Sequence, residues 1–296
     1  MLWIACTLIA AAAQTARNAM QSGLTGSIGT LGATQVRFLY GFPFALVFLA
    51  VTVLATQSGV PAPSMRFFTF TAGGALVQVL ATGLLLKAMH RGSFSVATAL
   101  SKTEAVQIAV FGLLILGDHL TPLRSLAIVI ATVGVALVAI RPGEKWTASA
   151  LGPALLGIAS GAGFALAAVG FRGGILALDQ GGYWMRATTT LAWSLGIQAL
   201  LLGLWMLMFA RAALLGSLRL WRQSLLAGFL GALASQFWFL GFSLTAAANV
   251  RTLGLVEVLF ANIVGRRVFR QHLSLREASG MVLIVAGVAL LMVAVS

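Results

Sequence analysis

Two acidic residues, Glu104 and Glu257, lie near the middle of long apolar stretches of this 296-residue chain. A carboxylate in such surroundings is costly, and an ionisable group at membrane depth is by default a candidate for function. In a low-dielectric pocket a carboxyl group can bind and release a proton near neutral pH. It can also hold the ammonium group of a solute. The predicted chemistry is therefore the binding of a solute, a proton or both inside a membrane.

The two acids are separated by an offset of 153 residues. The same offset relates His119 to His272 and Gly134 to Gly287. Three coincidences at one offset indicate an internal duplication, in which each copy carries one acid at a matching depth.

The composition requires a lipid environment. Hydrophobic residues make up 60% of the chain and charged residues 8%, whereas soluble domains carry about 25% charged residues. The net charge of +13 comes from basic residues spread over short gaps between apolar runs. This pattern favours anchoring to anionic lipid headgroups over binding of nucleic acid. The single cysteine, Cys6, excludes an intrachain disulfide.

A helical span needs about 20 mostly apolar residues, and the chain divides into about ten such segments. We place them near 2–21, 33–56, 67–89, 93–116, 122–141, 150–171, 182–209, 222–245, 248–268 and 274–295. Uninterrupted apolar runs exclude a transmembrane β-barrel. The expected fold is an all-α integral membrane protein with two five-helix repeats, 1–145 and 146–296. Because five is odd, the second repeat must be inverted relative to the first, and the two would surround a central cavity.

The short turns between spans carry helix-start signals. Thr121 can cap the fifth span and Pro122 suits its first position. At the matching place in the second half, Ser274 and Glu277 form a capping-box pattern. The fifth and tenth spans contain few polar residues, which predicts a peripheral position or a dimer face.

Several polar side chains fall on the segments that would line the cavity. Lys102 and Glu104 are two residues apart, so on a regular helix they point to different sides. The alternative for the deep charges is structural pairing with each other, with Arg251 or with backbone carbonyls, and for the polar groups it is helix–helix bonding. The predicted lining consists of Gln78, Thr82, Lys102, Glu104, Gln107, Ser235, Gln236, Trp238, Glu257 and Asn262.

Motifs of enzymes are missing from the sequence. It contains no GxxxxGK[ST], no HExxH and no GxSxG pattern. The three histidines, His90, His119 and His272, are too scattered to predict a metal site. We therefore expect neither a catalytic role nor a cofactor.

The two halves resemble the drug/metabolite transporter superfamily, and within it the EamA-type exporters. The resemblance is carried by an acid in the fourth span of each half, a short turn and a Gly-Val-x-Leu span. The matching segments are Ser101–Ala105, Gly117–Thr121 and Gly134–Leu137 in the first half, and Leu255–Val258, Gln271–Ser274 and Gly287–Leu290 in the second. Ala105 and Val258 replace the proline usual in the family, which predicts fourth spans with less kinking.

The resemblance implies a multi-pass transporter of the inner cell membrane that exports amino acids or related metabolites by alternating access. Its expected partners are a small solute, the lipid bilayer and possible coupling protons, without nucleic acid, in a monomer or weak homodimer. The resemblance also implies cytoplasmic termini. The clustering of basic residues on one predicted face places the termini outside instead, so the orientation stays open.

Two other classes of function remain compatible with the residues. One is a passive facilitator or channel for small solutes. The other is an intramembrane lipid-modifying enzyme, for which Glu104 and Glu257 could supply paired acids. Among the two acids, the neighbouring Lys102 makes Glu104 the preferred candidate for handling the solute.

Overall fold

The computed structural model describes residues 1–91, 100–139, 151–260, 262–263 and 274–295. All regular structure in these ranges is helical. The α-helices are α1 (Leu2–Leu39), α2 (Gly41–Thr56), α3 (Met65–Arg91), α4 (Glu104–Phe111), α5 (Pro122–Ala139), α6 (Leu151–Leu176), α7 (Tyr183–Phe209), α8 (Arg211–Arg219), α9 (Trp221–Leu244), α10 (Ala247–Gly254) and α11 (Leu275–Val295). A π-helical turn, Gly112–Leu116, continues α4.

Seven helical stretches of the described chain are long and apolar enough to cross a membrane. They are Gly26–Thr56, Met65–His90, Pro122–Ala139, Leu151–Leu176, Tyr183–Phe209, Trp221–Leu244 and Leu275–Val295, and the shorter apolar helix Glu104–Leu116 adds to them. The all-α, multi-pass membrane fold predicted from the sequence is therefore confirmed.

The break that we predict between the spans near 2–21 and 33–56 is present, but helix extends into it from both sides. Helix α1 runs through the expected gap and is interrupted at Gly29, where φ is 70° and ψ is 173°. The amide of Gln21 donates to the carbonyl of Ala33. In a straight helix, residues twelve positions apart are too distant to make this contact. The chain therefore reverses direction at Gly29, which adopts the left-handed φ that glycine tolerates.

Residues of the described chain cluster into two compact units that do not coincide with the sequence halves. The first unit contains Met1–Leu76 and Gly170–Thr245, and the second contains Val77–Val169 and Ala246–Ser296. Each unit thus combines residues of both halves, and the segment Val77–Val169 itself crosses the midpoint of the sequence. In the first unit, α1 packs along α9 and α2 packs along α7.

In the second unit, α5 and α11 cross at very short range through small residues. A Cβ atom at Gly134 would lie 2.6 Å from the carbonyl oxygen of Gly280, and one at Gly287 would lie 2.8 Å from that of Ala127. Gly134 corresponds to Gly287 and Ala127 to Gly280 at the offset of 153, so the two contacts are equivalent. The fifth and tenth predicted spans are therefore each other's packing partners.

Both predicted helix starts are confirmed. Helix α5 begins at Pro122, and the hydroxyl of Thr121 accepts the Arg124 N–H at 3.3 Å. In the capping box of α11, the Ser274 N–H donates to Glu277 Oε2 at 2.8 Å and the Glu277 N–H donates to Ser274 Oγ at 3.2 Å. The matching His272 lies outside the described residues.

Candidate functional site

The helices that carry the two conspicuous acids are both interrupted directly before the acid. In the first half, a turn at Lys102–Thr103 precedes α4, which begins at Glu104. In the second half, α10 ends at Gly254, a turn covers Leu255–Val256, and the helix resumes at Glu257. The two breaks occupy equivalent positions, because 102 and 255 are also 153 residues apart.

The hydrogen bonds at the two breaks match one for one. Three of the four bonds in each break join an N–H to the carbonyl three residues earlier, the tight pattern of a 3₁₀ turn. In the first half they are Thr103→Leu100, Ala105→Lys102, Val106→Thr103 and Gln107→Thr103, and in the second half Val256→Leu253, Val258→Leu255, Leu259→Val256 and Phe260→Val256. Both fourth spans are therefore interrupted without proline, and the expectation that they are less kinked than those of proline-containing family members stays a prediction.

Other groups than proline support the first break. The hydroxyl of Thr103 donates to the carbonyl of Leu100 at 2.6 Å, a local bond that competes with the regular helical pattern. Gly161 of α6 lies against the same turn, because a Cβ atom there would be 2.8 Å from the Ser101 carbonyl oxygen and 3.3 Å from the Glu104 nitrogen. The absence of a side chain at Gly161 thus lets α6 approach the broken helix.

Both acids are paired with cations, and the pairs cross between the sequence halves. Lys102 Nζ contacts Glu257 Oε1, and Arg251 Nη1 lies 3.7 Å from Glu104 Oε1. The side chains are 24% exposed at Lys102, 12% at Glu257, 16% at Arg251 and 13% at Glu104. The acid of each half is therefore neutralised by a base of the other half, within the second unit.

These four residues, which we call the ion quartet, carry a net charge of zero. Removing two opposite charges from water is costly, and their mutual attraction offsets that cost only when both partners are present. An ion pair of this kind contributes little to stability compared with apolar packing. A role of the four residues in binding a solute stays a prediction.

Other predicted lining residues of the second unit lie on the same or neighbouring segments. Gln107 is one turn after Glu104 and donates to Thr103 Oγ1 at 3.1 Å, while its own buried Oε1 has no hydrogen-bond partner among the described residues. Gln78 is buried, and Thr82 donates to the Gln78 carbonyl at 2.9 Å. Asn262 is half-buried. Gln107 therefore offers an acceptor near the quartet.

The remaining three predicted lining residues belong to the first unit. Ser235 is buried. Gln236 donates to Thr188 Oγ1 at 2.8 Å and so joins α9 to α7. Trp238 donates to Gln14 Oε1 at 3.0 Å and joins α9 to α1. Both bonds link helices, and a lining role for these three residues stays a prediction.

Arg251 is missing from the lining predicted from the sequence, which considers it only as a structural partner of the acids. It follows the apparent start of the ninth span by only a few residues, so it reads as an interfacial cation. The structure pairs it with Glu104. One feature of the sequence does point to a position near the acids, because Arg251 is only six residues before Glu257 on the same interrupted helix. Within the described ranges, the acids, histidines and cysteine form no group of three or more able to hold a metal ion.

Comparisons with known proteins identify the class to which this fold and site belong. The sequence matches the profile of the EamA-like transporter family over residues 1–140 and again over 152–293. The chain therefore belongs to the EamA-like transporter family and is a multi-pass membrane transporter.

A solved crystal structure supports the same fold. Its chain is 18% identical to this one, superposes with a TM-score of 0.72, and the match covers 97% of this chain and 96% of the other. At this identity the likeness shows the fold alone. No curated protein matches the sequence.

Proposed function

We propose that this protein is a secondary active transporter that exports small metabolites, chiefly amino acids, by alternating access. The observation that carries the proposal is the crossed ion quartet, in which Lys102 pairs with Glu257 and Arg251 pairs with Glu104. Each member is partly exposed, and each acid stands at the start of a helical segment that follows a break. Interrupted helices are the usual places where repeat-built transporters bind solutes.

A zwitterionic solute can replace either one of the two internal pairs without changing the charge of the site. Its ammonium group takes the place of Lys102 at Glu257 or of Arg251 at Glu104. Its carboxylate then binds the displaced cation, and the guanidinium of Arg251 suits a carboxylate because two N–H groups can donate in parallel. The Oε1 atom of Gln107 accepts a further N–H from the ammonium group.

The neutrality of the quartet predicts which solutes are carried. A net-neutral amino acid leaves no charge unpaired, whereas a net cation or anion leaves one uncompensated charge in a poorly solvated site. We therefore expect neutral amino acids to be carried in preference to lysine or glutamate. A substitution that gives the quartet a net charge should reduce its preference for neutral amino acids over solutes of the opposite charge.

The test uses purified protein in liposomes loaded with a panel of radiolabelled amino acids. Efflux is followed over time, with and without an imposed pH gradient, and as a function of internal concentration. Saturable efflux that responds to the gradient supports proton-coupled export. Protein-free liposomes provide the baseline.

Other outcomes of the same assay contradict the proposal. Efflux that is not saturable and ignores the gradient identifies a passive facilitator. Absence of efflux for every amino acid, together with turnover of the liposome lipids, identifies an intramembrane enzyme. Placement in the inner membrane and a monomeric or weakly dimeric state also belong to this proposal, and fractionation of cells with sizing of the purified protein checks them.

A further inference from the structure

The short helix α8, between the spans α7 and α9 of the first unit, carries a group of basic side chains. Arg211 and Arg219 stand at its two ends, and Arg222 follows on the first turn of α9. All three side chains are exposed. Between Asp179 and Glu257 the sequence contains no acidic residue. The surface around α8 is therefore made by a part of the chain that supplies positive charge alone.

One side of α8 is fixed to the protein by its contacts with α1. A Cβ atom at Gly216 would lie 3.1 Å from Ile28 Cγ2. The hydroxyl of Tyr40 donates to the Ser217 carbonyl at 3.0 Å, and Ser217 is buried. These contacts determine which side chains of α8 point away from the first unit.

The outer face of α8 combines apolar and basic side chains. Leu215 and Leu218 are exposed large hydrophobic residues. In a helical projection, Arg211, Leu215, Leu218 and Arg219 fall within a sector of about 100°. A helix with leucine and arginine on its outer face suits the membrane interface, where apolar side chains reach the acyl chains and arginine extends towards the phosphates.

The length of α7 places α8 at the level of the lipid headgroups. Helix α7 has 27 residues, which corresponds to about 40 Å, and a bilayer with its headgroups is about 40 to 45 Å thick. The backbone leaves the helical conformation at Ala210, directly before α8. Exposed aromatic side chains flank the short helix, namely Trp205 and Phe209 on α7 and Trp221 on α9. Tryptophan is enriched at the boundary between membrane and water, which agrees with this level.

We infer that the outer face of α8, together with Arg222, binds the headgroups of anionic phospholipids such as phosphatidylglycerol. Guanidinium groups donate parallel N–H groups to phosphate oxygens. Arg211 uses its Nε to donate to the Leu207 carbonyl at 2.7 Å, and its two Nη atoms carry four further N–H groups for a phosphate. The exposed leucines favour a lipid over a free phosphate, because only a lipid brings acyl chains. The inference concerns lipid binding alone and stands whether or not the protein exports amino acids.

Native mass spectrometry of the purified full-length protein in detergent measures the binding of individual lipids. Phosphatidylglycerol and phosphatidylcholine with identical acyl chains are titrated separately. Each basic side chain near an anionic headgroup should contribute about fivefold in affinity, so the wild type should prefer phosphatidylglycerol by roughly hundredfold. Glycerol phosphate, which has the charge but no acyl chains, is then added as a competitor and should leave the bound lipid in place.

Variants assign the preference to α8. The triple variant Arg211→Gln, Arg219→Gln, Arg222→Gln should bind the two lipids about equally. Arg66→Gln, which changes an exposed arginine at the start of α3, should retain the preference. The inference is wrong if the wild type does not distinguish the lipids, if the triple variant keeps the preference, or if Arg66→Gln loses it as completely. Displacement of phosphatidylglycerol by glycerol phosphate would show that the surface binds a free phosphate instead.

A double variant covers the case in which the triple variant does not fold. Arg219→Gln with Arg222→Gln leaves Arg211 and its bond to the Leu207 carbonyl in place. We expect this protein to fold and to keep a preference of about fivefold, as one remaining arginine allows. A preference equal to that of the wild type would show that these arginines do not hold the headgroup.

Discussion

Arg251 Nη1 lies 3.7 Å from Glu104 Oε1, although the two residues come from different halves of a duplicated sequence. The reciprocal contact joins Lys102 of the first half to Glu257 of the second. The acids occupy equivalent positions, but the bases do not, since Leu255 and Thr98 stand at the corresponding places in the sequence. The duplication thus accounts for two acids at two breaks, but it does not account for the two cations that pair with them.

The pairing of Lys102 with Glu257 can be measured by a double-mutant cycle. Lys102→Gln and Glu257→Gln each leave one charge without its partner, and the double variant removes both charges. We expect each single variant to lower the free energy of unfolding by about 1 to 3 kcal/mol, and the double variant to lose less than the sum. Unfolding in mixed micelles gives the free energies. Strict additivity would show that the two side chains do not interact.

The same two single variants should shift solute preference in opposite directions. Lys102→Gln gives the quartet a net charge of −1, which favours a cationic solute such as lysine over a neutral amino acid. Glu257→Gln gives a net charge of +1, which favours glutamate. Efflux of the three solutes from liposomes measures the ratios, and a shift of about tenfold in each direction corresponds to roughly 1.4 kcal/mol. Shifts of the same sign in both variants would contradict the neutral-site argument.

Glu104→Gln should slow efflux by at least about tenfold, because the amide cannot neutralise Arg251 or hold an ammonium group with comparable strength. The variant should remain folded but lose about 1 to 3 kcal/mol in free energy of unfolding, because the Arg251–Glu104 ion pair is lost, as in the single variants of the other pair. Glu277→Gln is the matched control, because glutamine preserves the capping box at the start of α11. Wild-type efflux by Glu104→Gln would remove this acid from the transport site.

Gly161→Ala tests whether the approach of α6 to the first helix break is tight. The added methyl group would lie 2.8 Å from the Ser101 carbonyl oxygen, so backbone must shift. Overpacking of this kind costs about 1 to 3 kcal/mol. Gly83→Ala is the control, because a Cβ atom at Gly83 would meet nothing within 4 Å. Equal melting temperatures for the two variants would show that the turn at Lys102–Thr103 tolerates displacement.

Ser274→Ala removes the hydroxyl that caps α11 and should lower the free energy of unfolding by about 1 kcal/mol. Amide exchange at Glu277 should accelerate, because its N–H loses the bond to Ser274 Oγ. Ser279→Ala serves as the comparison, since that hydroxyl donates to the Arg276 carbonyl within the helix. If both substitutions lowered the free energy of unfolding equally, Ser274 would not stabilise α11 as a helix cap.

The membrane class, most helix positions and the two helix starts follow from the sequence because they depend on local signals. Apolar runs are long, and the caps at Thr121 and Ser274 need only neighbouring residues. The sequence also places a break between 21 and 33, where the reversal at Gly29 lies. It does not show that the helix continues up to a single glycine, because the gap from 22 to 32 contains neither proline nor charge.

The ion quartet depends on contacts between distant parts of the chain. Sequence reasoning identifies Lys102, Glu104 and Glu257 as costly residues but cannot determine which cation reaches which acid. The helix breaks are missed for a related reason, since proline is the usual local signal and both breaks occur without it. The first break is supported instead by the Thr103 hydroxyl and by Gly161, which has no side chain. Gly161 lies on another helix, so its contribution cannot be read from the local sequence.

The composition of the two compact units has a consequence for biogenesis. Neither half of the polypeptide can complete a unit by itself, because each unit contains residues of both halves. The first unit has all its residues once Thr245 has left the ribosome, whereas the second must wait for α11, at the end of the chain. Until then α5 lacks the helix that covers Gly134, so this face of α5 must remain uncovered in the bilayer during synthesis. A nascent chain arrested after Thr245 has emerged from the ribosome, but before α11 has emerged, would therefore leave a membrane intermediate whose first unit can pack while α5 stays accessible to chaperones and proteases.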